Sequence, residues 1–385
     1  MTSEEAPLAP YRVLDLTTEL GWLCGKILAE LGADVVKVEP PGGEAGRGSP
    51  AWTAYNVGKR GITLDLASDR GRQRLRRLAA EVDFLIESFP PGHLEALGLG
   101  WPVLHRDNPR LVMTSITPYG QRGPLAHASA SDLELMAASG AAWLAGDPDR
   151  PPVRISLPQA ACWASAHAAV GTLIAHHHRQ LTGRGQHVDV SAQASLLPAL
   201  VHAPMFWQML GQVPRRGGPM LVGRNVHGAA LRNVWRCRDG YVTCALYGGA
   251  AGRRSNRALA EWMAERGMAP DFLRAVDWDR FSAVTADPEE IERIQTAIAV
   301  FLLTLSKREF AEEAIRRRIL GYPVATVADI VADEQLTARE VWQELGGLRH
   351  PSGYARFDGR PARPRRPAPG PGEHDDEILA EGVPA

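Results

Sequence analysis

Four cysteines, twelve histidines and one glycine-rich loop are the residues of this chain whose types could do chemistry. Their spacing removes most of the options. Cys24, Cys162, Cys237 and Cys244 form no CxxC pair, and four cysteines in 385 residues make no disulfide framework. The run His176-His177-His178 has no cysteine or carboxylate at metal-ligand spacing, so it reads as a polar face near a helix end and no metal is expected. The loop Gly42-Gly43-Glu44-Ala45-Gly46 follows a predicted strand but carries no GK[ST], and no GxSxG occurs anywhere. Glu39, an acid closing the second predicted strand, invites a dinucleotide. The turn at 15–21 (DLTTELG) lacks GxGxxG, however, so a pyrophosphate could not approach that backbone closely.

The elements that must position any site alternate in type. Residues 11–16 predict a short apolar strand. Residues 20–31 have helical spacing, with Leu23, Ile27, Leu28 and Leu31 on one face, and 33–39 predict a second strand. Strand, helix, strand, helix, strand follow at 61–66, 69–82, 83–89, 92–104 and 110–117. Such alternation means a mostly parallel sheet with helices on its faces. Residues 131–144 and 159–181 predict long alanine-rich helices. Residues 233–246 predict a hairpin turning at Asp239-Gly240. Residues 323–330 read as extended and 332–345 as helical, and the Pro/Arg/Gly-rich stretch 361–371 reads as an extended arm.

Composition bounds the rest. Hydrophobic residues make up 45% and charged residues 23%, which suits a folded protein with a sizeable core. The net charge of −1 favours neither nucleic acid nor an anionic membrane. Only four of the 43 basic residues are lysine, and the arginines are spread along the whole chain. No stretch of about 18 apolar residues runs without charge, so no membrane span is expected. The N-terminal MTSEEAPLAPYR is acidic and has no apolar core, so the expected address is cytoplasmic.

Eight segments, in order, carry a resemblance. They are LGADVVKVEPPGGEAGR (31–47), VGKRGITLDLASDRGR (57–72), DFLIESFPPGHLEALGLGW (83–101), NPRLVMTSITPYGQRGP (108–124), TGRGQHVDVS (182–191), DGYV (239–242), GYPVATVADIVADEQLTAR (321–339) and PGEHDDEIL (371–379). Together they resemble the class III CoA-transferases, a family that includes formyl-CoA transferase, carnitine CoA-transferase and the α-methylacyl-CoA racemases. The resemblance implies an α/β fold: a Rossmann-like large domain built from both ends of the chain, a smaller α+β domain between, and two subunits interlocked as a dimer. On this sequence the implied parts are 1–215, 225–320 and a return over 321–385. It also implies chemistry. One aspartate attacks an acyl-CoA thioester to give a mixed anhydride, the CoA thiolate returns to make an enzyme–CoA thioester, and an acceptor carboxylate takes the CoA.

The same resemblance exposes departures. The family's nucleophilic aspartate lies 21 residues before the threonine of TGRGQ, which is Thr182 here; its place falls on Ala161. Gly171 matches a family glycine, so the register holds without a gap, and the surrounding LPQAACWAS contains no acid. The racemase histidine's place, just before Asp132, is Ser131. Cations that often contact CoA are Ala67, Pro90 and Ala96 here. Each lost charge-assisted contact to a phosphate is worth roughly 1.5–3 kcal/mol. Trp22 stands for a proline that commonly opens the first helix, which is expected to change the pocket entrance. What remains for CoA is Arg47, Lys59 and Arg60, with Leu64, Leu66 and Phe89 to flank an adenine; a solvated turn is the alternative for Lys59 and Arg60. Asp132 matches a family acid that lines the pocket. Cys162, one residue after Ala161, points about 100° away on a helix and reads as structural. His167 reads as packed, and Glu134 as turned away from Asp132.

The expectation is therefore a chain that has lost the catalytic nucleophile. Some members of the family, succinyl-CoA:(R)-benzylsuccinate CoA-transferase among them, are heteromeric. This chain would be the non-nucleophilic subunit, partnered by a paralogue that carries the aspartate, with CoA, acyl-CoA and a carboxylic acid as substrates. The alternatives are a homodimeric enzyme with altered acyl-CoA chemistry (an isomerase or lyase) and a non-enzymatic acyl-CoA-binding regulator.

Overall fold

The computed structural model describes residues 6–381. The first strand, β1 (Arg12–Leu16), leads through α1 (Trp22–Glu30) to β2 (Asp34–Glu39). Then come α2 (Pro50–Asn56), β3 (Arg60–Thr63), α3 (Asp69–Glu81) and β4 (Phe84–Glu87). The short helices α4 (His93–Ala96) and α5 (Trp101–Asp107) precede β5 (Val112–Thr117). After α6 (Asp132–Ala138) and the 23-residue α7 (Ala160–Thr182), β6 (His187–Ser191) completes one sheet. Its order is β3-β2-β1-β4-β5-β6 with every pair parallel. Buried on both faces, these strands read as runs of Val, Leu and Ile, as all-parallel sheets require. The chain changes direction between β1 and β4, and in open α/β sheets a ligand crevice forms at that switch point, outside the carboxyl ends of the strands.

One face of the sheet packs Leu14, Val36, Ile62, Leu85 and Met113 against α3, α5 and Ile378. Ile378 belongs to a C-terminal helix, Asp375–Glu381, that docks on the β3 edge: Thr63 N donates to Asp375 (2.7 Å) and His374 N to Gly61 O (3.0 Å). The preceding arm lies extended along the same edge, where Gly58 N donates to Arg366 O (2.8 Å).

Two compact units emerge. Residues up to 141, 155–205 and from 333 onward make one; residues 142–154 and 206–332 make the other. The second unit is built on a three-stranded antiparallel sheet, with Val234–Cys237 and Gly240–Cys244 as a hairpin and Gly321–Pro323 as the third strand; Cys237 pairs with Gly240, so the turn is Arg238-Asp239, one residue before the expected Asp239-Gly240. Three helices, Gly249–Glu265, Pro288–Leu302 and Lys307–Arg317, supply its core, where Trp262 meets Phe301 edge to face at 4.9 Å.

Four segments differ from the periodicity reading, the first being the helix expected over 92–104, which is broken into α4 and α5. The helix expected over 131–144 stops at Ala138, because Gly140 takes a left-handed conformation (φ 83°). The extended 323–330 contains a helical turn, Val327–Val331, nucleated by a Thr326/Asp329 capping box. The helix expected over 332–345 splits into a short helix, Glu334–Ala338, and a strand, Trp342–Leu345. Gly346-Gly347, both at positive φ, turns that strand into a hairpin with Leu348–Pro351.

Candidate active-site pocket

A cavity of about 370 Å³ opens at the switch point. Its walls are the loop after β1 (residues 18–20), the loop after β4 (88–91), residues 126–132 leading into α6, and the first turn of α7. Ala161 lines this cavity, and so do Asp132 and Phe89, three residues far apart in sequence. Ala161 sits in the first turn of α7, where the helix macrodipole favours a negative charge.

Asp132 has a structural task there. Its Oδ1 accepts the backbone N–H of Gln159 (2.7 Å) and of Ala160 (2.8 Å), so a side chain on α6 caps the start of α7. Glu134 is engaged with Ser131 in the capping box of α6, whose hydrogen bonds hold its carboxyl below the usual range. Cys162 does not line the cavity; its Sγ donates to Pro158 O (3.4 Å) and lies 3.5 Å from the Tyr55 hydroxyl. Burial, with that contact second, pushes the Tyr55 hydroxyl up. His167 tilts against Trp163. In the histidine run, His176 sits between Tyr11 and Phe84 and lies 2.7 Å from an Arg179 nitrogen.

The basic residues named for CoA are spent elsewhere. Lys59 is fully buried, and its ammonium donates to Asp15 (2.7 Å), Asn56 Oδ1 (2.8 Å) and Trp22 O (2.9 Å). An ammonium has three donors, so none remains for a phosphate. Neither a CoA contact nor a solvated turn describes it. Burial alone would raise Asp15; Lys59 and Lys37 outweigh that and hold it below the usual carboxylate range. Gly25 makes the pair possible, since a Cβ there would stand 2.2 Å from Asp15 Oδ2. Arg60 pairs with Asp34 and Glu377 (2.8 Å), tying β3 to the C-terminal helix. Arg47 bonds Glu39 through Nε and Nη2, gives Nη1 to Pro369 O (2.9 Å) and stacks on Trp52 at 4.0 Å. Leu64 is buried in the sheet core with Leu66 packed against it, away from the cavity. Trp22 is buried too; its indole N–H donates to Glu44 (3.0 Å), so it supports the glycine-rich loop and does not line the entrance.

Two carboxylates that the sequence reading passed over belong to this region. Glu19 lines the cavity with Ala161 and Asp132. Its signal was positional: it follows the first strand of an alternating α/β chain, where switch-point ligands bind. Glu87, at the carboxyl end of β4, is buried, with no cationic partner among the described residues. It accepts the Phe89 N–H (2.6 Å) and a hydrogen bond from Ser115, its register neighbour on β5. Ser115 Oγ lies 2.8 Å from His187 Nε2. Burial pushes the Glu87 carboxyl up to about 7, and burial lowers His187.

The strand order and the cavity at the switch point define an α/β protein with a ligand crevice at the carboxyl ends of its strands. The sequence matches CoA-transferase family III over residues 8–375, and the chain belongs to that family. It is 38% identical to the succinyl-CoA:(R)-benzylsuccinate CoA-transferase subunit BbsE of Thauera aromatica, covering 97% of this chain and 94% of that one. It is 30% identical to the succinyl-CoA–L-malate CoA-transferase beta subunit of Chloroflexus aurantiacus, over 99% and 95%. A CAIB/BAIF family protein from Brucella suis has the same fold, with a TM-score of 0.85 at 26% identity over 97% and 98% of the two chains. No helix among the described residues is long and apolar enough to cross a membrane.

Proposed function

We propose that this chain is the non-nucleophilic subunit of a heteromeric, cytoplasmic acyl-CoA:carboxylate CoA-transferase. The observation that carries the reading is Ala161: the first turn of α7 faces the switch-point cavity with a methyl group where the family's chemistry needs a carboxylate. A methyl group forms no anhydride. A paralogue subunit would supply the aspartate. Its carboxylate attacks the thioester carbonyl, the C–S bond breaks, and the thiolate leaves. The thiolate then attacks the aspartyl carbonyl of the anhydride and releases the donor acid, and the acceptor carboxylate takes the CoA by the reverse sequence. Each step exchanges one activated acyl bond for another, so no ATP is required.

Two further observations support a partner. Relatives of this chain are named as subunits. The outer face of α7 exposes Trp163, Val170, Ile174 and Leu181, which fall within about 20° of one line on the helix. Such a stripe on a soluble protein marks a contact surface. The test is co-expression with a class III paralogue, followed by native mass spectrometry and a CoA-transfer assay. The expected result is a stable hetero-oligomer whose activity disappears when the paralogue's aspartate is replaced and persists when Ala161 is replaced by Ser. Full transfer activity of this chain alone would overturn the reading.

Glu19 favours a second reading, in which this chain carries out altered acyl-CoA chemistry as a homodimer. Activity that needs no paralogue and is lost in Glu19→Gln would establish it.

A further inference from the structure

Four arginines, Arg12, Arg60, Arg365 and Arg366, line a second cavity, of about 320 Å³. It lies at the amino ends of β1, β2 and β3, so the length of the strands separates it from the switch-point cavity at their carboxyl ends. Its other charged residues are Asp34 and Glu377. Arg60 engages both: Nε donates to Asp34 (2.9 Å) and Nη1 to Glu377 (2.8 Å). Arg12 stands 3.9 Å from the same Asp34 carboxylate. Two acids against four guanidinium groups leave an excess of two positive charges. The carbonyl end of α1, which reaches the wall at Ala29, takes back about half a charge.

Arg366 is the residue whose donors the fold leaves unanswered. Among the described residues its guanidinium makes one polar contact, with the ring of His374, where Nη1 lies 3.3 Å from Nε2. The other ring nitrogen, Nδ1, already accepts the N–H of buried Gly61 (3.2 Å), on the outer side of β3, the last strand of its sheet. A neutral imidazole has a single acceptor nitrogen. Gly61 takes it, which puts the proton on Nε2 and turns two donors toward each other. That corner lacks an acceptor. A guanidinium gives two parallel N–H bonds to a phosphate or carboxylate oxygen pair. Surplus charges that converge on one small cavity suit a compact dianion better than a dicarboxylate, whose charges sit at opposite ends. We infer that this cavity binds a phosphate group as its dianion, with Arg366 donating to it and Arg365 and Arg12 around it, so that the anion ties the C-terminal arm to the amino ends of the sheet. The site does not depend on how the switch-point cavity is used.

The experiment uses the purified full-length chain in chloride buffers of one ionic strength, so that screening is equal throughout. Inorganic phosphate, phenyl phosphate and succinate are each titrated at low millimolar concentration, with binding read by calorimetry and stability by the urea midpoint. Inorganic phosphate is expected to bind and to raise the midpoint, because it binds the folded chain alone. Tighter binding of phenyl phosphate would identify a monoester as the source of the group, and equal or weaker binding would identify free phosphate. Succinate is expected to do neither. Arg366→Gln should weaken phosphate at least about tenfold while its midpoint in chloride stays in place. Arg365→Gln, at the exposed rim, repeats the test if that variant folds poorly. Ala161→Phe, which fills the cavity at the other end of the strands, should leave phosphate binding unchanged. No binding of either phosphate, an unchanged affinity in the arginine variants, or succinate binding as well as phosphate would overturn the inference. So would loss of phosphate binding in Ala161→Phe, which would place the anion in the switch-point cavity.

Discussion

Lys59 shows how a residue's type can mislead when its neighbours are unknown. In the sequence it is one of four lysines, placed before a strand in a family that binds a polyanion. In the structure its three donors are filled by Asp15, Asn56 and Trp22 O. Lys59→Ala should therefore leave Asp15 as an unpaired buried charge and destabilise the fold by about 3–5 kcal/mol. Urea unfolding would read that loss; the affinity of the folded protein for CoA should not change. Glu87 yields a pH prediction. Its proton is held more tightly in the folded chain, at about 7, than at the ordinary glutamate value of 4.5. The folded state gains from this most fully below 4.5, and the gain is lost as pH rises through about 7. The shift is worth roughly 3 kcal/mol. Glu87→Gln stays neutral at every pH. Its urea midpoint should match the unmodified protein at about pH 4 and exceed it at about pH 8. Equal midpoints at both pH values would show that the Glu87 carboxyl is not raised.

At the scale of elements, α7 is the part on which the pocket depends. Its start is capped by Asp132 and its end by the TGRGQ turn. Thr182 is the last helical residue, Gly183 takes the left-handed C-cap conformation (φ 75°), and Gly185 N donates to Pro109 O (2.8 Å). A Cβ on residue 185 would stand 1.7 Å from Leu111 O, so the motif is a close backbone crossing between α7 and β6. Gly185→Ala should be among the most destabilising single changes, read as loss of soluble protein or of the cooperative unfolding transition. Asp132→Ala should cost about 1–2 kcal/mol through the lost cap, whereas Asp132→Asn keeps an acceptor and most of that stability. If Asp132 acted only as an acid in chemistry, neither change would move the unfolding midpoint. The alternation of strands and helices was legible because each period is local. The stops at Gly140 and Gly346-Gly347 were present in the sequence as glycines, but their meaning depended on φ values that the packing imposes.

Across the molecule, exposed apolar residues gather on the outer face of α7 and on the helix His202–Leu210, where Trp207 and Met209 are well exposed. Ile174→Glu should abolish hetero-oligomer formation with the paralogue while leaving this chain's own unfolding curve in place, as measured by native mass spectrometry and urea titration. An intact complex would move the interface elsewhere.

The sequence by itself determined the α/β alternation, the family and the alanine at 161, because periodicity, ordered motifs and residue identity need no third dimension. Only the tertiary structure decided which charges are free. Parallel register sets Glu87 beside Ser115, and the approach of Gly25 to Asp15 closes a site that Lys59 fills from 44 residues away. The loops after β1 and β4 meet at the switch point and bring Glu19, Phe89, Asp132 and Ala161 around one cavity. The strand order does this: it makes neighbours of residues that no local pattern connects, and electrostatics inside a protein is decided by neighbours.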